Sequence, residues 1–256
     1  MRLLSTILLL ACGGAMAGER PNVVILLADD AGWGDYSFNG NRQLATPHID
    51  SLAQNGLRFT NGYVAATYCS PSRAGLMTGR YPTRFGHEFN TVANAVGLRA
   101  DQTTLATRLK ALGYATAAIG KWHLGAAPAF RPERRGFAET YGFIGGGHRF
   151  RDWTENLAVE YQVPIERGGR PDPIPAHLTP AFGAAAATFI RRHAAEPWFL
   201  YLAFNAPHMP HEPTDERLAR FASIADPVRR KYAAQLSLMD DAIGDALGAL
   251  HETGQA

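Results

Sequence analysis

The chain has 256 residues, 46% of them hydrophobic and 19% charged, which is an ordinary globular balance. Its formal net charge is +2 and its Lys and Arg residues form no block, so neither composition nor patterning points to nucleic acid. The first seventeen residues read as a leader. Arg2 supplies a short positive region, Leu3 to Ala11 an apolar one, and Ala15-Met16-Ala17 an A-x-A cleavage signal. The apolar run is too short to span a bilayer, so export to the periplasm or exterior, with cleavage after Ala17, is expected. A lipoprotein box with Cys12 lipidated is the competing reading. Cleavage leaves Cys69 as the sole cysteine of the mature chain, and no intramolecular disulfide can then form.

Pro21-Asn22 precede Val23 to Ala28, a continuous β-prone apolar run that suits a strand buried on both faces. The run ends at Asp29-Asp30. Thr46-Pro47 opens a helix that Gly56 stops. Leu57 to Val64 reads as a short strand delivering Cys69 to a helix. Thr103 to Leu112 is an amphipathic helix ended by Gly113, and Tyr114 to Ile119 a strand leading into Gly120-Lys121-Trp122-His123-Leu124-Gly125. From Pro128 to Pro180 the text is rich in Gly, Pro and Arg and reads as long loops over a site rather than core. Pro180 to His193 is helical, Pro197 to Phe204 a further buried strand running into Asn205-Ala206-Pro207-His208, and Val228 to His251 a long final helix with Gly254 as its cap. There is no internal repeat and no second domain. Strands alternating with helices predict an α/β fold, a mostly parallel sheet with helices on both faces.

Chemistry-bearing residues gather just after predicted strands or at a helix start. Ligands in open α/β sheets collect beyond the carboxyl ends of strands, so Asp29, Asp30, Cys69, Arg73, Lys121, His123 and His208 are expected to converge. Pro71 fits the first turn of a helix because its φ suits the helix and its missing N–H would be unpaired there. That places Cys69 or Ser70 near the N-cap, where free N–H groups and the helix dipole favour an anion. Arg73 adds a permanent forked cation suited to oxyanions. Asp29 and Asp30 are hard oxygen donors suited to Ca²⁺ or Mg²⁺. His211 lies near the same loop. Asp240-Asp241, mid-helix, reads as a solvated face. Gly145-Gly146-Gly147-His148 lacks the strand-to-helix context of a phosphate loop. Trp33, Trp122 and Trp153 suit either a cleft or the core.

The segment Cys69-Ser70-Pro71-Ser72-Arg73-Ala74-Gly75-Leu76-Met77-Thr78-Gly79-Arg80 resembles the C-x-P-x-R signature of the type I sulfatases, of the alkaline phosphatase superfamily. Asp29-Asp30, Gly120 to Gly125 and Ala206 to Pro210 match further sulfatase motifs in family order. A lone cysteine is more often a small buried hydrophobe; the concurrence of four motifs overrides that default.

The resemblance implies an alkaline-phosphatase-like α/β fold and hydrolysis of sulfate esters. It implies that a maturation enzyme oxidises Cys69 to Cα-formylglycine, whose hydrate is the nucleophile. A metal, Ca²⁺ or Mg²⁺, would be held by Asp29, Asp30 and residue 69. Arg73, Lys121 and the metal would stabilise the sulfuryl oxygens, His208 would assist the leaving group, and His123 would take a proton from the second hydroxyl. Family members continue into a D-N/Q-G segment with further metal ligands, absent here. Residues 18–256 are therefore expected to be the N-terminal part of a sulfatase catalytic domain, weakly active or inactive alone. Two other readings remain at this point. One is a phosphonate monoester or phosphodiester hydrolase of the same superfamily. The other is an inactive secreted protein that binds sulfate esters or glycans.

Overall fold

The computed structural model describes residues 20–90, 96–151, 163–173 and 176–256. The leader, Cys12 and Trp153 lie outside them. Among the described residues six strands occur: β1 (Val23–Asp29), β2 (Ala115–Lys121), β3 (Glu139–Phe143), β4 (Glu166–Arg167), β5 (Arg170–Pro171) and β6 (Trp198–Pro207). They form one sheet in the order β1-β6-β2-β3-β4-β5, parallel through β3 and antiparallel beyond it. The helices are α1 (Pro47–Asn55), α2 (Cys69–Thr78), α3 (Leu105–Ala111), α4 (Leu178–Arg192), α5 (Asp215–Ala219) and α6 (Pro227–Glu252).

β6 explains why there are two cores. Its side chains alternate across the sheet, as strand geometry demands. Trp198, Leu200, Leu202 and Phe204 face one side and pack with Phe182, Phe189 and Ile190 of α4 and Leu236, Met239 and Ile243 of α6. Phe199, Tyr201 and Ala203 face the other and pack with Ala74 and Met77 of α2 and Ala106 of α3. The expected parallel sheet with helices on both faces is present. α6 begins at an Asp226 N-cap, whose carboxylate accepts from Arg229 N at 2.6 Å. Asp226→Ala should lower stability by about 1 kcal/mol, read as a downward shift in the urea midpoint at unchanged slope.

Four expectations are corrected. β1 is only partly buried, because it lies at the sheet's edge rather than inside it. Residues 57–64 form no strand: Leu57, Phe59, Tyr63 and Val64 are largely exposed. A β-prone run becomes a strand only beside a partner, and none of the described strands pairs with it. The stretch 128–180 is not all loop, since it contributes β3, β4 and β5. Gly142 interrupts the apolar pattern there, yet its backbone lies so close to Gly120 that a Cβ would come within 2.1 Å of the Gly120 carbonyl oxygen. Asp240 is not solvated. It is buried and accepts from the His48 and Ile49 amides at 3.3 and 2.9 Å, tying α6 to the start of α1.

Parallel order puts the ends of β1, β2 and β6 on one side, which brings Asp29, Lys121 and His208 together. The register between β1 and β6 shifts after Leu27, so that Asp29 pairs with Pro207. Asn22, at the opposite end, links Trp198 N and Gln255. No described helix is long and apolar enough to cross a membrane.

Candidate active site

Cys69 is the first residue of α2, with Tyr68 as N-cap. Pro71 is two residues further on in the same turn, as its chemistry requires. Arg73, one turn along and buried, reaches back under the nucleophile position. Its Nη2 donates to Asp29 Oδ1 at 3.1 Å, and its Nη1 donates to the Lys121 carbonyl at 2.8 Å and to Tyr201 Oη at 3.2 Å. Lys121 Nζ donates to the other Asp29 oxygen at 2.5 Å. One carboxylate is thus shared by two cations.

Burial alone would raise the Asp29 pKa, but the Arg73 and Lys121 charges outweigh it and hold the carboxyl below its ordinary value. Burial pushes the Cys69 thiol up despite the same cations nearby. The unmodified side chain is therefore a thiol rather than a ready thiolate, and a poor nucleophile as it stands.

His123 follows the strand end in a left-handed conformation, φ 55°. Burial, then the Lys121 and Arg73 charges, lower its pKa to about 3, so the imidazole stays neutral at any physiological pH. Its Nδ1 is buried without a protein partner. His208 Nδ1 donates to the Met209 carbonyl at 2.6 Å, which leaves Nε2 facing Asp30 Oδ2 at 3.4 Å.

Asp30 stands apart. Its side chain is 60% exposed, against 5% for Asp29. Donor atoms of Asp29, Cys69 and His208 lie within 4.8 Å of one another, whereas Asp30 is outside that cluster and touches only its rim through His208. His211 packs edge-on against Tyr232, 5.5 Å away, and Trp122 is buried with its Nε1–H donating to Phe130 O. Trp33 is exposed.

The residues present fit a hard divalent cation. Donor atoms of Asp29, residue 69 and His208 lie within 4.8 Å of one another with Asp30 at the rim, and both Asp29 oxygens are shared with Arg73 and Lys121. His123 adds an unengaged buried nitrogen close to the charges of Lys121, Arg73 and Asp29. Tyr201 is a contributor that sequence reading passed over. It looked like one more apolar position in β6, and only the fold aims its hydroxyl at Arg73.

Residues 21–256 match the profile of the family described as Sulfatase. The chain belongs to the sulfatase family. It is 34% identical to N-acetylgalactosamine-6-sulfatase of Mus musculus over 98% of this chain and 50% of that protein. It is 36% identical to arylsulfatase A of Homo sapiens over 97% of this chain and 53% of that protein. The crystal structure of Ps i-CgsB in complex with k-i-k-neocarrahexaose superposes with a TM-score of 0.89 at 37% identity, covering 93% of this chain and 56% of that one. The chain spans about half the length of the curated relatives it matches. With the sulfatase fold recognised, the ends of β1, β2 and β6 and the start of α2 are the parts of it that carry this cluster.

Proposed function

We propose that this protein serves the hydrolysis of sulfate esters, R–O–SO₃⁻ plus water giving R–OH and sulfate, at the Cys69 end of α2. The observation that carries the reading is the Arg73–Asp29–Lys121 cluster beneath residue 69, two buried cations on one buried carboxylate. The cluster keeps a net positive charge where a sulfate monoanion would sit. In a water-poor site such fixed charges favour a transition state whose charge spreads over the sulfuryl oxygens.

Formylglycine, formed at Cys69 by a maturation enzyme, would supply a hydrated aldehyde as nucleophile. Asp29 and Asp30 would hold a Ca²⁺ or Mg²⁺ ion, with residue 69 beside it, and the ion would supply Lewis-acid polarisation. The chain's own residues have distinct tasks. Arg73, its guanidinium satisfied by Asp29, Lys121 O and Tyr201, holds the carboxylate and the α2 turn in place. Lys121 is the cation with hydrogen-bonding capacity left for a sulfate oxygen. His208, when protonated, carries an N–H on Nε2 and can give that proton to the departing alkoxide or phenoxide. His123, held neutral, can accept a proton at Nδ1. The likeness to N-acetylgalactosamine-6-sulfatase makes a carbohydrate sulfate the favoured substrate class. Residues 1–17 fit an export signal, and the site of action would then be periplasmic or extracellular.

The test uses protein isolated from its native host. Peptide mass at residue 69 should reveal formylglycine, and this protein should release sulfate from 4-nitrophenyl sulfate faster than it cleaves a phosphonate monoester of the same phenol. An aldehyde at residue 69 without sulfate release would refute the reading. Preference for the phosphonate would favour the neighbouring hydrolase class.

A further inference from the structure

Both chain neighbours of Cys69 are gripped by one short segment to which the proposed chemistry assigns no part. Ser70 Oγ lies 2.7 Å from His87 Nε2, and the Ser70 amide donates to Asn90 Oδ1 at 2.9 Å. Between those two anchors, the Phe89 ring tilts against Tyr68 with centroids 6.0 Å apart. His87 also hydrogen-bonds the Gly97 backbone. With Nε2 at Ser70, Nδ1–H serves the Gly97 carbonyl, and Nε2 accepts from the Ser70 hydroxyl.

The line continues to the second catalytic turn. The Leu98 amide donates to Leu124 O at 2.9 Å, next to His123. Gly97 is packed there so closely that a Cβ would come within 2.3 Å of the same oxygen. The first amides of a helix have no intrahelical acceptor, and Pro71 has none to offer. Asn90 therefore satisfies a donor that would otherwise be orphaned directly beside the nucleophile position. Ser70 and His87 are both buried, which keeps water from substituting for the bond between them, while Asn90 is exposed.

We infer that His87, Phe89 and Asn90 form a clasp that holds residue 69 in register with the Lys121–His123 turn. They are positioning residues: each acts through residue 68 or 70, and none reaches the reacting atoms. The geometry stands by itself, while its consequence for turnover rests on the sulfatase reading above.

Thiol reactivity reads the clasp directly. Protein made without the maturation enzyme carries Cys69 as a free thiol. Its alkylation by iodoacetamide under native conditions, quantified at the residue 69 peptide, reports how often the turn opens. His87→Ala should raise that rate by about tenfold, the effect of one lost buried hydrogen bond, and Asn90→Ala by about fivefold, because its bond to the Ser70 amide is only part-buried. Amide exchange in α2 should quicken with it, while α6 stays as in the parent. His87→Gln, which keeps an acceptor, should recover most of the protection. If His87→Ala does not fold, Asn90→Ala still makes the comparison, with His87→Gln as the near-parent reference.

Rates within about twofold of the parent in folded His87→Ala and Asn90→Ala, or in Asn90→Ala where His87→Ala does not fold, with unchanged α2 exchange, would overturn the clasp. In formylglycine-bearing protein the same variants should lower kcat more than they raise KM. Should thiol reactivity move while the parent releases no sulfate, the clasp stands and the sulfatase reading falls. Should reactivity not move, the clasp falls whatever the turnover.

Discussion

Asp29→Asn should lower the unfolding free energy by about 3–5 kcal/mol, the range for removing one partner of a buried ion pair. The reason lies in what stays behind. The Lys121 side chain is fully buried and that of Arg73 is 3% exposed, and Asp29 is their shared counter-charge. An amide can keep one hydrogen bond but leaves two positive charges in a dry site. Urea titration with a chelator present isolates this cost from any bound cation. Asp30→Asn is the internal control. That side chain is mostly exposed, so its loss should cost within about 0.5 kcal/mol. Equal small losses for the two variants would mean that the buried cations do not depend on Asp29. The same triad sets a pH dependence. Because the Asp29 pKa is depressed on folding, its contribution is present above the ordinary carboxylate range and is lost as pH falls through the folded value. If turnover occurs, Asp29→Asn should also abolish most of it, since Lys121 loses the partner that orients it.

How far the sequence was legible follows from what each inference needed. The Cys69 turn could be read because its parts are contiguous: N-cap position, proline and arginine all lie within six residues. The convergence of Asp29, Lys121 and His208 could be read because each follows an apolar run, and parallel strands end on one side. Pairing was not legible. Lys121 and Asp29 are 92 residues apart, and both polar heads looked free for ligands, whereas the fold spends them on each other. The adjacent aspartates looked equivalent, yet the register shift after Leu27 buries the first, and a left-handed Asp30, φ 60°, turns the second outward. Residues 57–64 failed for a different reason. Their β-prone apolar residues are a strand signal, but strand formation depends on a neighbour that local pattern does not contain. β3 failed through Gly142, whose lack of a side chain weakens the apolar pattern while permitting close approach to β2.

Away from the site, acid should loosen the molecule through His177. This buried residue is the N-cap of α4: its Nδ1 accepts from the Thr179 amide at 3.1 Å, and its Nε2–H donates to the Glu212 carbonyl at 3.1 Å. The cap requires the neutral ring, because a proton on Nδ1 abolishes it, whereas the Nε2–H bond survives protonation. Burial lowers its pKa from 6.5 to about 4, with a hydrogen bond to Glu212 partly opposing. A base whose folded value lies below its unfolded one stabilises the fold fully above pH 6.5. That contribution is then lost progressively as pH falls toward about 4, and is gone below it. The amount at stake is about 3 kcal/mol. His177→Asn retains a capping oxygen and removes the titration, so it separates the two effects. Urea midpoints taken from pH 7 to pH 4 should fall less steeply for the variant than for the parent, by about one proton's worth of slope in that window. His148 is likewise buried and depressed, so the parent's total slope will exceed what His177 alone provides, and only the difference between the two proteins belongs to it. Parallel curves would show that folding leaves the ring's pKa unshifted, and that the cap on α4 is not lost by its protonation in that window.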